Sequence, residues 1–457
     1  MTKLNVVILA AGEGKRMRSS LPKVLHTLAG RSLLMHVTNT ARSLSPNKIC
    51  IVIGHGGEIV KQSIAGDDLT WVLQAQQLGT GHALMQTLPH LDRDGLTLVL
   101  YGDVPLISIQ TLRKLIAKAE KKHCALLTAV IENPFGYGRI VRDPETRAIK
   151  VIVEQKDANV EQQEINEINT GILVIPNGYL HDWLPKLENN NTQHEYYLTD
   201  IIALSVRQSV KVVSSQAENL WEVMGINNKS QLAELERIYQ RHCADKLLHL
   251  GVSLLDPSRI DVRGELICGS DVEIDIDCIF EGIVKLDDSV QVGAHCILKN
   301  VTVAAGTTIL PYSLIEDAEV GENCKIGPYA RIRPGTILSN KVHIGNFVEV
   351  KNSQIAIGSK ANHLSYIGDS IVGKNVNIGA GTITCNYDGA NKHQTIIEDD
   401  VFIGSDTQLV APVRISKGST IGAGSTITKE TPENQLTLSR SKQLSVAGWK
   451  RPQKPKV

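Results

Sequence analysis

Short, unbroken apolar runs recur through the first half of the chain. Runs of this length are typical of strands that are buried on both faces of a sheet. Amphipathic helical patterns lie between them, over residues 33–41 and over residues 109–119 with Ser108 as N-cap. The alternation predicts an α/β, Rossmann-like domain whose mostly parallel sheet is covered on both faces. The predicted strands cover residues 6–9, 49–53, 96–100, 126–131 and 172–175.

The second half of the chain carries aliphatic residues at intervals of six, and a small residue, often glycine, follows many of them. This period fits neither a helix nor a hairpin. It is typical of a parallel β-helix in which each aliphatic side chain points inward. We therefore predict a left-handed β-helix of hexapeptide repeats, the main exception to right-handed crossovers. The three series are Ile274, Phe280, Leu286, Val292 and Leu298; Val320, Ile326, Ile332, Leu338, Ile344 and Val350; and Ile397, Ile403, Leu409, Ile415, Ile421 and Ile427.

The six-residue phase breaks between Val350 and Ile397. Local rules tend to be broken where function demands it, so we expect a site in this interval. The aliphatic residues that follow Val350 at uneven steps are Ile357, Ile367, Val372 and Ile378. The polar residues that gather there are Lys351, His363, Tyr366, Asn377, Asn386 and Tyr387.

One amphipathic helical pattern, at residues 230–248, separates the two halves. Its apolar stripe includes Leu232, Leu235 and Ile238. We therefore expect a first domain over 1–229, a linker helix over 230–250 and a β-helix domain over 251–457.

The charge balance gives no reason to expect nucleic acid or a membrane as a partner. Lysine plus arginine and aspartate plus glutamate both number 48, so the formal net charge is zero. Eight scattered cysteines without a C-x-x-C pair predict reduced thiols in a cytoplasmic protein. The apolar run near the N-terminus is too short for a secretory signal, and no stretch is long enough to span a bilayer.

A glycine-rich turn follows the first predicted strand. Gly12 and Gly14 would let the backbone approach a phosphate, and Arg16 and Lys23 would add positive charge. The turn is not a dinucleotide fingerprint, because Met17 replaces the third glycine and no acidic residue follows at the ribose-binding distance. Both a phosphate site and an ordinary turn are compatible with these residues.

Asp103 follows the strand predicted at residues 96–100, beside Gly102. Mg²⁺ usually takes one or two protein carboxylates and leaves its other positions to water and phosphate. Asp103 is therefore a candidate magnesium ligand. The alternative is an aspartate that caps a turn or helix, which is a common role.

Several motifs together resemble a bacterial family of bifunctional enzymes. The turn with its Pro-Lys segment resembles the sugar nucleotidyltransferase signature, and the hexapeptide coil with its Asn-Tyr-Asp-Gly loop resembles acetyltransferases of that fold. Across the whole chain the resemblance is to N-acetylglucosamine-1-phosphate uridylyltransferase / glucosamine-1-phosphate N-acetyltransferase. Lys15 departs from the family's usual threonine, which puts a side-chain contact there in doubt. The further motifs are Gln76–His82, Tyr101–Asp103, Tyr137–Arg139, Glu167–Gly171 and Val376–Thr382.

The resemblance implies that the first domain joins UTP to N-acetylglucosamine 1-phosphate. Asp103 and Asn227 would hold Mg²⁺, and Arg16 and Lys23 would neutralise phosphates. The positions that match nucleotide-sugar ligands are Leu9, Ala10, Ala11, Gly12, Lys23, Gln74, Gly79, Thr80, Tyr101, Gly102, Asp103, Gly138, Glu154, Asn169 and Asn227.

The resemblance also implies that the β-helix transfers acetyl from acetyl-CoA to glucosamine 1-phosphate. His363 falls on the family's general-base position, and a histidine suits this role because it titrates near neutral pH. The family forms homotrimers and supplies precursors of peptidoglycan and lipopolysaccharide, so we expect both here. The sugar-phosphate ligands would be Arg333, Lys351, Tyr366 and Asn377, and the acetyl-CoA ligands Ala380, Asn386, Tyr387, Ser405, Ala423 and Arg440.

Three alternatives stay open at this point. The β-helix could be regulatory or structural, which would make His363 dispensable. The chain could be a non-catalytic assembly subunit, which would tolerate the loss of Asp103 and Lys23. The sugar could also carry another substituent, since a methylene changes binding by only ~1–3 kcal/mol.

Overall fold

The chain forms two compact units, Met1–Tyr239 and Gln240–Val457. The division falls within the helix Lys229–His249, where the sequence predicts a helical linker. The domain bounds expected at 229 and 251 stay a prediction. The computed structural model describes residues 3–12, 14–54, 56–64, 66–119 and 122–453.

The first unit alternates strands and helices, as the apolar runs predict. Its strands are β1 (Leu4–Leu9), β2 (Thr27–Leu28), β3 (Arg31–Ser32), β4 (Lys48–Ile53), β5 (Leu69–Leu73), β6 (Leu96–Tyr101), β7 (Cys124–Val130), β8 (Arg139–Arg142), β9 (Ile149–Val153), β10 (Glu167–Pro176) and β11 (Val212–Gln216). Its helices, with the linker, are α1 (Leu33–Arg42), α2 (Gly57–Ser63), α3 (Thr80–Met85), α4 (Ile109–Lys118), α5 (Val160–Gln163), α6 (Asn177–Trp183), α7 (Asp200–Arg207) and α8 (Lys229–His249).

The main sheet of this unit is mixed. Its order is β11-β7-β10-β6-β1-β4-β5, with β8 joined to β10 and β9 to β8. The strands around β1 and the pair β7–β11 run parallel, whereas β10 is antiparallel to β6 and β7. Along this strand order only β10 runs the opposite way, so the predicted mostly parallel sheet is confirmed, and residues 172–175 lie on its antiparallel strand. An apolar run marks burial, but it does not encode the direction of the strand.

Helices cover both faces of the sheet, as predicted. Val6 and Ile8 belong to one buried cluster, and Val7 and Leu9 belong to another. Alternate residues of β1 thus face two separate cores, which explains its unbroken apolar run. Ser108 caps α4 as expected, because its hydroxyl accepts a hydrogen bond from the Thr111 amide at 3.1 Å.

The second unit is a three-faced parallel coil, consistent with the predicted left-handed β-helix. Its first face contains Ser253–Leu254, Glu273–Ile274, Gln291–Val292, Thr308–Ile309, Lys325–Ile326, His343–Asn346, Lys360–His363, Asn377–Ile378, Phe402–Ile403, Thr420–Ile421 and Leu436–Thr437. Four long strands, Ile260–Cys268, Cys278–Leu286, Ile297–Val303 and Leu314–Val320, cover the start of the other two faces. The second face continues with Arg331–Ile332, Glu349–Lys351, Tyr366–Gly368, Ile383–Cys385, Gln408–Val410 and Thr426–Ile427, and the third with Thr336–Leu338, Gln354–Ile355, Ser370–Val372, Thr395–Ile397 and Val413–Ile415.

Every residue of the three predicted aliphatic series is buried in one core. The expected break in phase is smaller than the sequence suggests. Ile355 and Ala361 take the inward positions after Val350, whereas Ile357 is 40% exposed. A five-residue step and a small alanine hide the repeat from a search for large aliphatic residues. Only the loop after Cys385 leaves the coil before Thr395 resumes it.

All eight cysteines are free thiols, and none forms a disulfide. Each helix within the described residues is too short or too polar to cross a bilayer.

Candidate active sites

A cleft of about 530 Å³ opens where β1 and β6 end. Five further residues to which the sequence analysis gave no ligand role also line it: Lys15, Val24, Gln77, Ala83 and Glu195. The sequence therefore brings most of its first predicted site together. The predicted ligands that line the cleft are Leu9, Ala10, Ala11, Gly12, Lys23, Gln74, Gly79, Thr80, Tyr101 and Asp103.

Amide side chains fix the backbone at the mouth of this cleft. The Nε2 of Gln77 donates to the Ala11 carbonyl at 2.6 Å, and the Nε2 of buried Gln74 donates to the Gly79 carbonyl at 3.1 Å. Gly79 has φ +105°, and a Cβ there would meet the Tyr196 carbonyl oxygen at 2.7 Å. Glycine is therefore needed where the chain turns into α3.

Two cations and two oxygen-bearing side chains meet beside the cleft. The ammonium of Lys23 donates to the Asp103 carboxylate and to Asn227 Oδ1, the latter at 3.1 Å. Arg16 Nη2 donates to the same Asn227 oxygen at 2.9 Å. A Cβ on Gly14 would lie 2.7 Å from the Lys23 Cβ, so this glycine leaves room for the lysine. Charges brought this close act strongly on any phosphate that enters.

The backbone brings Asn227 to Asp103 from a distant part of the chain. The Ile226 amide donates to the Asp103 carbonyl at 2.9 Å. The backbone N–H of Asn227 donates to Gln231 Oε1 at 2.8 Å, and the backbone N–H of Gln231 donates to Asn228 Oδ1 at 2.9 Å. The start of α8 thus holds Asn227 in place.

Asp103 and Asn227 fit a magnesium ion. Their oxygens already converge on one cation, the Lys23 ammonium, so the position suits positive charge. One carboxylate and one amide oxygen are a sparse, all-oxygen set, which is what Mg²⁺ accepts when phosphates complete its shell. The described residues contain no group of three or more histidine, cysteine or acidic side chains that could hold a metal alone.

A second cluster lies behind Tyr101. Glu154 accepts a hydrogen bond from the Thr199 hydroxyl at 3.1 Å, and a Cβ on Gly138 would lie 3.3 Å from both Glu154 carboxylate oxygens. The Asn169 amide donates to the Gly138 carbonyl at 2.8 Å. Burial raises the pKa of Glu154 despite the hydrogen bond from Thr199, and nearby acidic charges add to the rise.

Gly102 and Tyr101 connect the two clusters. The Gly102 amide donates to the Leu9 carbonyl at 2.9 Å, and a Cβ there would meet Val24 at 3.2 Å. Burial raises the pKa of Tyr101, and the charges of Glu154 and Asp103 add to this effect. The phenol therefore stays protonated and can donate a hydrogen bond to a ligand.

The β-helix gathers a polar cluster on its second face. Lys351 Nζ lies 3.9 Å from Asp369 Oδ2, and the Asn386 amide donates to Asp369 and, at 3.4 Å, to the Tyr366 hydroxyl. One coil below, Arg333 Nη1 donates to Glu349 Oε1 at 2.7 Å. Four predicted ligands of the acetyl-transfer site therefore lie within neighbouring coils.

His363 lies at the end of a strand on the first face. Its Nδ1 is 2.8 Å from Asn346 Oδ1 on the preceding coil. Asn377 lies on the next coil of that face, paired with Lys360. No hydrogen bond or ion pair of the described chain joins His363 to Lys351 or Tyr366.

The predicted acetyl-CoA residues stack at one corner of the coil. The Asp406 amide donates to the Ala380 carbonyl at 2.7 Å, and the Gly424 amide donates to the Ser405 carbonyl at 2.8 Å. Arg440 Nη1 donates to the Ala423 carbonyl at 2.7 Å. Arg440 thus places a cation at the end of the stack.

Tyr387 lies apart from this stack, in the loop that leaves the coil. Its hydroxyl donates to the Gly389 carbonyl at 2.6 Å, and the side chain is exposed.

The sequence analysis missed Asp369, Asn346 and Glu349. Coil spacing could have found them, because side chains 16 to 18 positions apart meet on adjacent coils, as in the Arg333–Glu349 pair at 16 positions. His363 follows Asn346 by 17 positions, and Asp369 follows Lys351 by 18.

Three families match parts of the chain. A MobA-like NTP transferase domain matches residues 6–250, and a GMPPB C-terminal domain matches residues 262–355. Bacterial transferase hexapeptide (six repeats) matches residues 394–429. The matches follow the order of the α/β unit and the coil.

Full-length relatives are also similar to this chain. "Bifunctional protein GlmU" of Nitrosospira multiformis is 66% identical over 457 residues, which is 100% of this chain and 99% of the relative. The protein of the same name in Nitrosomonas eutropha is 62% identical and covers 100% of both chains. That of Aromatoleum aromaticum is 58% identical, over 99% of this chain and 100% of the relative.

Proposed function

The chain belongs to the GlmU family of bifunctional uridylyltransferases and acetyltransferases, and we propose which of its residues carry each reaction. The β-helix acetylates glucosamine 1-phosphate with acetyl-CoA. The α/β unit then joins the product, N-acetylglucosamine 1-phosphate, to UMP from UTP. The observation that carries this assignment is the cleft in which predicted nucleotide-sugar ligands meet Lys23 and Asp103.

In uridylyl transfer, a phosphate oxygen of the sugar phosphate attacks the α-phosphorus of UTP, and the bond to pyrophosphate breaks. Both reactants are anions, so charge neutralisation and alignment are the main tasks. Arg16 and Lys23 supply positive charge beside the cleft. Asp103 and Asn227 would hold Mg²⁺, which would neutralise phosphate charge when bound. The cluster of Glu154, Gly138 and Asn169 would hold the sugar.

In acetyl transfer, the sugar amine attacks the thioester carbonyl, and the CoA thiolate leaves. The nitrogen must lose a proton, and His363 would take it. The proton on His363 can then pass to the thiolate. Arg333 and Lys351 would hold the sugar phosphate. The stack of Ala380, Ser405, Ala423 and Arg440 would hold CoA, with Asn386 and Tyr387 from the loop.

We further propose that the protein is a homotrimer that assembles through its β-helix. The reason is that, among the described residues, His363 makes no hydrogen bond or ion pair to Lys351 or Tyr366, so a site between copies would complete the arrangement. Native mass spectrometry should give a mass of three chains. A stable monomer that transfers acetyl groups would contradict this.

One assay tests both activities. The protein is mixed with glucosamine 1-phosphate, acetyl-CoA, UTP and Mg²⁺, and free thiol and pyrophosphate are measured separately. Wild type should release both. His363→Ala should lose thiol release but still release pyrophosphate when N-acetylglucosamine 1-phosphate is supplied.

The control is His295→Ala, a half-buried histidine of the β-helix whose ring stacks on Tyr312 at a centroid distance of 4.7 Å. It should retain both activities. Conversely, Asp103→Asn should lose pyrophosphate release alone. If wild type never releases thiol, acetyl transfer to this sugar is wrong for this chain.

A further inference from the structure

Arg139 is a fully buried arginine without a carboxylate partner among the described residues. Its side chain is 1% exposed, and it lies at the start of β8, where it pairs with Val153 and Ile168. A buried charge without a counter-charge costs free energy. The hydrogen bonds of the guanidinium have to offset this cost.

The guanidinium binds the backbone of Tyr137 directly and that of Gly136 through Gln155. Its Nη1 donates to the Tyr137 carbonyl, and its Nη2 donates to Gln155 Oε1 at 2.7 Å. The same Gln155 oxygen accepts the Gly136 amide at 3.1 Å. The planar guanidinium presents its two terminal nitrogens in fixed directions, one to a carbonyl oxygen and one to an amide oxygen, and the single ammonium nitrogen of a lysine does not reproduce this geometry. Its Nε is buried and has no hydrogen-bond partner among the described residues.

The segment that Arg139 holds borders the proposed sugar site. A Cβ on Gly138 would lie 3.3 Å from both carboxylate oxygens of Glu154, and the Gly138 carbonyl accepts the Asn169 amide at 2.8 Å. Tyr137 lies near enough to Asp103 for that charge to add to burial in raising the pKa of the phenol. A shift of residues 136–138 would therefore move Gly138 against Glu154 and Tyr137 against Asp103.

We propose that Arg139 is a positioning residue for uridylyl transfer, which sets the place of Gly138 and Glu154 against the sugar without touching it. This inference rests on the function proposed above for the α/β unit. Small displacements of binding groups lower rates strongly, because the reacting atoms must be aligned. The effect should fall on the sugar phosphate rather than on the nucleotide, whose proposed backbone ligands lie on β1 and α3.

Two variants test whether the hydrogen bonds of Arg139 and Gln155 position residues 136–138. Arg139→Lys keeps the charge but replaces two fixed terminal nitrogens with one, and Gln155→Leu removes the shared acceptor while leaving Arg139 intact. Each should raise the KM for N-acetylglucosamine 1-phosphate about tenfold and change the KM for UTP less than about twofold. Acetyl transfer by the same preparations should be unchanged, which shows that the chain is folded.

The matched control is Arg142→Lys. Arg142 lies on the same strand, but its guanidinium binds Glu167 at 2.7 Å and does not reach residues 136–138. It should leave both KM values unchanged. If Arg139→Lys and Gln155→Leu raise both KM values alike, or lower only the melting temperature, Arg139 is structural and the proposal is wrong. Failure of wild type to release pyrophosphate would instead overturn the proposed function.

Discussion

The Nδ1 of His363 lies 2.8 Å from Asn346 Oδ1, on the coil below. With the amide oxygen facing the ring, a neutral imidazole that donates from Nδ1 to this oxygen carries its lone pair on Nε2. We expect Asn346→Leu to lower the kcat of acetyl transfer about tenfold or more, because the ring loses its orientation and tautomer. Thiol release measures this, and pyrophosphate release is the internal control.

Asn346→Asp keeps an oxygen acceptor at this position. It should therefore retain much more acetyl transfer than Asn346→Leu does. Equal losses in the two variants would show that the hydrogen bond does not orient His363.

Gly14 should be required for the first reaction because of Lys23. Gly14→Ala would put a Cβ 2.7 Å from the Lys23 Cβ, at a φ of +65° that costs an alanine about 1–2 kcal/mol. We expect uridylyl transfer to fall at least about tenfold as the lysine is displaced. The matched control is Gly56→Ala, which has a similar φ of +78° but nothing within 4 Å of the new Cβ. Equal losses in both variants would mean that backbone strain, and not Lys23, is responsible.

Asp369 should link stability of the β-helix to pH. Burial alone would raise the pKa of its carboxyl, but hydrogen bonds from Asn352 and Asn386 and the charge of Lys351 hold the pKa below its usual value. The ionised form therefore stabilises the fold above the unfolded pKa of about 3.9, and this stability is lost as the pH falls through the folded value. Urea midpoints at neutral and acid pH measure the loss.

Asp369→Asn should remove the part of the unfolding free energy that wild type loses at acid pH. At neutral pH it should cost about 1.5–3 kcal/mol, the worth of charged hydrogen bonds. It should also raise the KM for glucosamine 1-phosphate, because Lys351 loses its ion pair with Asp369. A variant with the same acid dependence as wild type would contradict the role of this carboxyl.

Removal of metal should separate the two activities. Excess chelator should stop pyrophosphate release, because Asp103 and Asn227 are placed for Mg²⁺ beside the phosphates, and should leave thiol release unchanged. Added Mg²⁺ should restore wild type but not Asp103→Asn. Loss of acetyl transfer on chelation would show a metal requirement that the described β-helix residues do not predict.

The sequence predicts which residues are buried better than it predicts strand direction or coil length. The apolar run before Gly12 and the inward positions from Val320 to Val350 are confirmed, because burial dictates both patterns directly. The direction of β10 is not predicted, since pairing partners and not side-chain polarity decide it. The five-residue step to Ile355 is missed for a similar reason, because it changes coil length without changing composition.

The candidate sites, like the fold, follow from the sequence only where a local pattern marks them. A glycine-rich turn indicates that Lys23 is near phosphates, but only the fold brings Asn227 to it across 204 positions. Asp369 has no local motif at all. Its contacts come from the coils below and above it, so it becomes visible only once the repeat length is known.

The one-coil spacing of the acetyl-transfer residues limits how such a chain can change in evolution. A duplication of 18 residues among the first coils would add one coil and leave the residues of every later coil aligned. A single deletion inside one coil would instead separate Asn346 from His363 or Lys351 from Asp369. Loops that leave the coil are free of this constraint. The distance from Ala380 to Ser405 is accordingly 25 positions, although the two residues lie on adjacent coils. New residues can therefore be gained at the corner loops while the repeating frame below them is inherited unchanged.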